Sequence, residues 1–290
     1  MKPPFSYHGG KQKMVKKIIP YIPKHNVYVE PFCGGSSLLF AKPDYTTGNK
    51  DHYREVLNDT NKKVHNFFVQ LRDNGEELCR MLELSLYSQE EHRIAKSYDG
   101  YDPLLIAYYF YINVSQSFSN KLEGSWGTSC YSHNHSETYN KKINELKNYV
   151  QRIRSIYISC EDALRCIERW DSPQTFFYCD PPYPGTNQGH YKGYTQEDFQ
   201  KLLDKLESIQ GSFILSCYPN DSVNPDWKRV DFELTGGAGN GKDFIKRNKI
   251  TECIWLRESK ETPRKEILDI YYKQKKQTVC ESNEYYSLIA

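Results

Sequence analysis

The stretch Thr175-Phe176-Phe177-Tyr178-Cys179-Asp180-Pro181-Pro182-Tyr183 decides the architecture. Its first five residues form an apolar, uncharged run suited to a central strand of a parallel sheet, covered on both faces. An acid and two prolines follow at the strand's end, where open α/β sheets assemble their ligand sites. Pro182 keeps Pro181 out of the helical region, neither proline donates an N–H, and their fixed φ angles hold the Pro181 carbonyl in one direction. The Asp180 carboxylate and that carbonyl then stand side by side as acceptors. An exocyclic amine on a nucleobase offers two N–H donors to such a pair, and accepting both draws its nitrogen toward tetrahedral geometry with the lone pair free for attack. Tyr183 supplies a flat face for the base. The plainer reading of the same residues is a proline turn capped by Asp180.

Working outward, Val27-Tyr28-Val29 reads as a strand running into Glu30-Pro31-Phe32-Cys33-Gly34-Gly35-Ser36-Ser37, with Leu38, Leu39 and Phe40 opening a helix. Strand, glycine turn and helix make a nucleotide-cofactor pattern. A second strand, Arg54 to Leu57, ends on Asn58-Asp59, about 25 residues past the turn, near where Rossmann-type sites place a ribose-binding acid. Near the N-terminus, Met14, Val15, Ile18 and Ile19 share a helical face after His8-Gly9-Gly10, and Pro20 and Pro23 close that segment. Ile156 to Ile158, Ser212 to Ser216 and Ile250 to Leu256 read as further strands, and Asp198 to Ile209 as a helix. Between them, residues 61–150 show helical periodicity: Val64, Phe67, Phe68 and Leu71, then Leu78, Met81 and Leu82, then Leu104 to Val114. The polar, glycine-containing stretch Ser115 to Gly127 interrupts that texture as an exposed loop or hairpin. The expectation is an α/β fold, Rossmann-like with a central mostly parallel sheet, its domain split into 1–60 and 151–290 by a mainly helical insert, 61–150.

Composition narrows the function classes. The 290 residues allow one large domain or two modest ones, and 39 Lys plus Arg against 37 Asp plus Glu give net +2, which names no partner in bulk. Aromatics reach 14%, with 24 tyrosines able to line grooves as well as cores. No apolar leader and no run of about 18 apolar residues occurs, so no signal peptide or membrane span is expected and the location is read as cytoplasmic. Nine cysteines without a CxxC pair read as reduced thiols, with Cys179, Cys217 and Cys253 buried in strands. His133 and His135 lack a third ligand nearby and read as solvated, so no metal is expected. Gly236 to Lys242 matches half of a phosphate-binding loop, but Asp243 replaces the needed hydroxyl and would repel phosphate. Lys273, Lys275 and Lys276 read as a solvated helix face or phosphate contacts.

In the order of these motifs, the chain resembles the Dam-like N6-adenine DNA methyltransferase family, which uses S-adenosylmethionine and carries a DPPY tetrapeptide. Phe5-Ser6-Tyr7-His8-Gly9-Gly10-Lys11 is similar to the family's opening motif, Glu30 to Gly35 to its glycine turn, and Asn58-Asp59 to its ribose-binding acid. The resemblance implies that Tyr7, Lys11, Phe32, Gly34, Asp59 and Asp180 contact the cofactor, with Asp162 near the cofactor's adenine, while Asp180, Pro181, Pro182 and Tyr183 hold the target adenine. An aromatic such as Tyr7 or Phe32 suits a sulfonium, Lys11 a carboxylate, and Asp59 a ribose diol. Ser36 stands where many relatives carry a further glycine, and is expected to cap the following helix. The family reads DNA with its insert. Relatives that recognise GATC carry an arginine ahead of an Asn-x-x-Gly hairpin, whereas here Phe118-Ser119 precede Asn120 and Gly124 falls one residue later, so GATC is not implied. Asn120, Lys121, Ser125 and Trp126 are the nearest candidates for DNA contacts, and Trp126 equally suits local packing. The 236–242 loop then reads as a mobile border of the DNA cleft. The partner implied is double-stranded DNA, with a cognate restriction endonuclease left open, and the reaction implied is base flipping and direct methyl transfer to N6. N4-cytosine methylation, an RNA or protein substrate, and a catalytically idle DNA-binding module are the alternatives.

Overall fold

Seven strands, β1 (Val27–Glu30), β2 (Arg54–Asn58), β3 (Ile156–Ser159), β4 (Thr175–Cys179), β5 (Ser212–Cys217), β6 (Lys228–Thr235) and β7 (Lys249–Arg257), form one sheet in the order β3-β2-β1-β4-β5-β7-β6. The computed structural model describes residues 1–7, 9–43, 53–122, 124–128, 134–184, 193–235 and 249–257. His8, His133, the loop Gly236 to Lys242 with Asp243, and Lys273, Lys275 and Lys276 lie outside the described residues. Strands β1 to β5 pair in parallel, whereas β7 runs antiparallel to both β5 and β6. The chain leaves β1 for one edge through β2 and β3, then returns to lay β4 on the other side of β1. That reversal is a topological switch point, and the loops past the C-terminal ends of β1 and β4 therefore open onto a shared crevice.

Strand alternation divides the core between the two faces. Val29, Val56, Phe177, Cys179, Phe213 and Leu215 pack with Cys166 and Ile167 of α8 (Ala163–Trp170) and with Phe199, Leu202, Leu203 and Leu206 of α9 (Gln196–Ser208). On the opposite face, Tyr28, Leu57, Phe176, Tyr178 and Ile214 join α1 (Val15–Ile18) and α2 (Ser37–Ala41). The same cluster continues into α3 (Lys62–Asp73), α4 (Gly75–Glu83), α6 (Pro103–Gln116) and α7 (His135–Ile153) through Phe67, Leu71, Leu78, Phe110, Tyr111 and Ile153. The helical segment thus shares a core with one face of the sheet. α5 (Gln89–Ser97) contributes the buried Ala95 to it.

Local chemistry sets the helix ends. Asp102 caps α6 by accepting from the N–H groups of Leu104 at 2.8 Å and Leu105 at 3.1 Å, with Pro103 at the first helical position. Thr195 and Asp198 form a reciprocal capping box at α9. α1 ends at Ile18, and Pro20 lies within the short 3-10 turn Ile19–Tyr21 that follows, after which the chain turns extended at Ile22 ahead of Pro23. Cys179, Cys217 and Cys253 are buried, and of the described cysteines Cys160 is exposed. Among the described residues, no helix is long and apolar enough to cross a membrane.

Candidate active site

The glycine turn after β1 and the tetrapeptide after β4 meet at the switch point. Gly34 (φ 46°) and Ser36 (φ 55°) both adopt left-handed backbone, and Ser36 N–H closes the turn onto the Cys33 carbonyl at 2.6 Å. A Cβ on Gly35 would lie 2.8 Å from the Phe5 carbonyl oxygen, so the N-terminal segment bearing Tyr7 rests directly on the turn. Ser36 does not cap α2 with its side chain. Its hydroxyl instead donates to Glu30 Oε2 at 2.8 Å, because the left-handed backbone turns it under the loop toward that buried acid. Glu30 also accepts from the Tyr28 hydroxyl at 2.7 Å and the Leu39 N–H at 2.9 Å. Burial nevertheless pushes its carboxyl up to about 7 against those donors.

Asn58, fully buried at the end of β2, knits the three loops together. Its amide donates to the Pro31 and Glu161 carbonyls, each at 3.0 Å, and its Oδ1 accepts from the Glu161 N–H at 3.0 Å. Asp59 accepts from the Gly34 N–H at 2.9 Å and the Asn61 N–H at 2.9 Å, while Asn61 Nδ2 donates to the Tyr7 hydroxyl at 2.9 Å. Asp162 is exposed and caps α8 through the N–H groups of Leu164 at 2.9 Å and Arg165 at 3.3 Å.

Two clefts open here and share Phe32, Asp180 and Pro182. One, of about 660 Å³, is lined by Tyr7, Lys11, Gly34, Pro181 and Tyr183 among others. The second, of about 840 Å³, is lined by Asp59, Asp162 and Tyr194. Each residue named from the sequence for cofactor or catalysis thus borders one cleft or both. Of the four named for DNA, Asn120 (φ 55°) lines the first cleft beside Ser119 (φ 58°). The hairpin carrying them is closed by a Ser117–Trp126 bridge, and the Trp126 ring packs with its centroid 5.6 Å from that of Tyr87. Ser125 is exposed and Lys121 half-buried, and neither lines the cleft.

Charge is concentrated beside the tetrapeptide. Lys11 Nζ, nearly buried, lies 2.7 Å from Asp180 Oδ1 and 3.1 Å from Glu252 Oε1, and donates to the Gly9 carbonyl at 3.3 Å. Burial alone would lower the Lys11 ammonium, but the two carboxylates overcome it and hold the group above its ordinary value. Burial raises Asp180, and Lys11 pulls it back. The Tyr183 hydroxyl donates to Glu252 Oε1 at 2.9 Å and lies 3.2 Å from Ser216 Oγ. The Tyr178 hydroxyl, buried in the cleft wall, has no hydrogen-bond partner among the described residues. Sequence reasoning missed Glu252, Tyr178, Ser216 and Tyr218, the last lining the first cleft with its ring centroid 4.7 Å from that of Tyr183. A lone acid within the apolar run Ile250 to Leu256 is the one signal that could have pointed to Glu252.

Comparison with known proteins now bears on this geometry. The chain is 24% identical over 279 residues to the type II methyltransferase M1.LlaDCHI of Lactococcus lactis subsp. cremoris, covering 88% of this chain and 94% of that protein. It is 23% identical over 257 residues to the type II methyltransferase M.MjaIII of Methanocaldococcus jannaschii, covering 78% and 86%. The retron Ec67 DNA adenine methylase of Escherichia coli is 23% identical over 218 residues, covering 69% and 70%. With the D12 class N6 adenine-specific DNA methyltransferase model matching residues 7–231, most of the chain and both cleft-forming motifs included, the protein belongs to that family.

Proposed function

We propose that this DNA adenine-N6 methyltransferase holds a flipped-out adenine against Asp180, Pro181, Pro182 and Tyr183, and S-adenosylmethionine in the two joined clefts. The observation that carries this reading is the placement of Asp180, which borders both clefts at once and so can face acceptor and donor together. The donor set suits the cofactor. Phe32 offers an aromatic face at the junction, Asp59 and Asp162 supply acids along the second cleft, and the partnerless Tyr178 hydroxyl awaits a polar atom in the first. Gly34, Gly35 and Tyr7 line the first cleft.

When bound, S-adenosylmethionine supplies a methyl group on a positively charged sulfur, which departs as a neutral thioether. The chain's own residues act on the amine. Asp180 and the Pro181 carbonyl accept its two N–H donors, localising the lone pair, and Asp180 takes the surplus proton once the new N–C bond has formed. No cysteine is needed as a nucleophile: Cys179, next to the site, is buried, and burial pushes its thiol above the ordinary range. Lys11 contributes through its hold on Asp180. Residues 61–150 serve as the DNA-reading insert, with Asn120, Lys121, Ser125 and Trp126 in the hairpin nearest the cleft, and 1–60 with 151–290 form the methyltransferase domain.

Asp180→Ala should abolish methylation of unmethylated plasmid DNA while leaving the circular dichroism spectrum unchanged; full turnover in that variant sinks the reading. Digesting the product to nucleosides should yield N6-methyladenine, and N4-methylcytosine in its place would move the substrate to cytosine. A restriction endonuclease cutting the same sequence is proposed as a companion, on the likeness to proteins named type II methyltransferases, and free thiols with a DNA substrate support a cytoplasmic location. Mapping modified bases in a host lacking adenine methylation identifies the target sequence.

A further inference from the structure

We infer that Glu252, on the antiparallel strand β7, is a positioning residue for methyl transfer, locking one oxygen of Asp180 through Lys11 and the ring of Tyr183 through its hydroxyl. The inference rests on the assignment of Asp180 and Tyr183 to the target amine. Glu252 comes from a strand inserted between β5 and β6, 72 residues beyond Asp180 in the chain, yet its Oε1 meets Lys11 Nζ at 3.1 Å and the Tyr183 hydroxyl at 2.9 Å. Its side chain is 10% exposed. A carboxylate there is costly unless paired, and both its partners belong to the site.

Geometry and charge give this contact its purpose. Lys11 engages Asp180 Oδ1 at 2.7 Å, which directs the other carboxylate oxygen to the amine. With only one carboxylate beside it, the ammonium could swing about Oδ1 on its flexible stem; Glu252 on one side and the Gly9 carbonyl on another fix its approach. Lys11 also lies 4.9 Å over the Tyr183 ring, so holding the ammonium holds the ring. One cation with two carboxylates leaves the cluster at net −1. In the transfer the N6 lone pair forms the N–C bond, the C–S bond breaks with its electron pair on sulfur, and the amine's proton passes to Asp180. Positive charge therefore moves from sulfur to nitrogen, and a net negative cluster at the nitrogen favours that movement, which a neutral Lys11–Asp180 pair would not. The groups facing Glu252 are Lys11, Asp180 and Tyr183, whose hydroxyl also meets Ser216 Oγ, and Asp180 is further faced by Tyr178 and, electrostatically, by Glu30.

Glu252→Gln keeps an acceptor for the tyrosine and removes the charge. On plasmid DNA from a host without adenine methylation, kcat is expected to fall at least tenfold while the Kd for S-adenosylmethionine, read by calorimetry, stays within about threefold. The acid limb of the kcat–pH profile should move to lower pH, since the Glu252 charge opposes ionisation of Asp180. Tyr183→Phe should lose part of kcat, and adding it to Glu252→Gln should cost less than its effect alone. A kcat within twofold of the parent with an unmoved acid limb, or additive losses in the double variant, overturns the inference. If Glu252→Gln does not fold, Tyr183→Phe decides, because wild-type kcat in that variant removes the hydroxyl's role. Asp180→Ala, run alongside, separates the two levels: turnover there overturns the site assignment itself, whereas an inactive Asp180→Ala beside a fully active Glu252→Gln overturns only the role of Glu252.

Discussion

Glu30 shows how one buried acid ties the glycine turn to solution conditions. It is 2% exposed, accepts three hydrogen bonds, and its carboxyl sits at about 7 in the folded chain against an ordinary 4.5. A raised folded value means the native state binds this proton more tightly than the unfolded chain does. Its contribution is full below about pH 4.5 and is lost as pH rises through about 7. Urea denaturation of wild type against Glu30→Gln should therefore show the parent losing on the order of 3 kcal/mol relative to the variant between pH 4.5 and 8; parallel curves would place the proton elsewhere. Ser36 donates to the same carboxylate from a left-handed backbone. Ser36→Ala removes the bond and keeps the strain, at a cost of about 2 kcal/mol, whereas Ser36→Gly removes both and should lie about 1 kcal/mol above it. The reverse order in denaturant midpoints would show that the strain is absent.

Among the elements, the hairpin over the first cleft is placed by tertiary polar contacts more than by its own pairing. Gln116, fully buried at the end of α6, donates to the Leu86 carbonyl at 2.7 Å and accepts from the Ser88 N–H at 3.1 Å, fixing the hairpin's root to the chain before α5. Asn113 Nδ2 donates to the Leu122 carbonyl at 2.9 Å, His92 Nε2 lies 2.8 Å from Ser117 Oγ, and the Tyr87 hydroxyl donates to the Gly127 carbonyl. Gln116→Ala should cost about 2 kcal/mol of stability and weaken DNA binding, measured by gel shift, far more than S-adenosylmethionine binding. Equal losses in both would mean that the hairpin plays no separate part in holding DNA. The helices themselves were legible, since Val64, Phe67, Phe68 and Leu71 repeat at helical spacing and all four are buried. The hairpin's seat was not, because Gln116, Asn113 and His92 carry no periodic signal and find their partners only after α4 to α7 have packed.

For the whole molecule, charge is a matter of arrangement. Residues 1–60 hold nine basic and five acidic residues, 61–150 hold ten and eleven, and the sum over the chain is +2. Lys11, Lys42 and Arg152 of the basic residues are already paired with internal carboxylates, which removes them from any phosphate-facing surface. DNA binding should accordingly be only moderately salt-dependent, with a log Kd against log salt slope no steeper than about 4 in magnitude, measured by fluorescence anisotropy in KCl. A slope near 8 would reveal a phosphate-binding surface that the fold has assembled from scattered lysines.

By itself the sequence determined six of the seven strands, all but β6, the split of the sheet by a helical segment, and the motifs around Lys11, Gly34, Asp59 and Asp180, because strand burial, glycine turns and the rigidity of two prolines are local properties written in consecutive residues. The tertiary structure alone decided that these motifs converge on two joined clefts, that Ser36 serves Glu30 instead of a helix end, and that Glu252 stands beside Lys11 and Tyr183. Those contacts depend on strand order and register, above all on β7 running antiparallel between β5 and β6. Residues far apart in the chain become neighbours only when the sheet is assembled, and a lone acid in an apolar strand acquires its meaning from the lysine and tyrosine that the neighbouring loops bring to it.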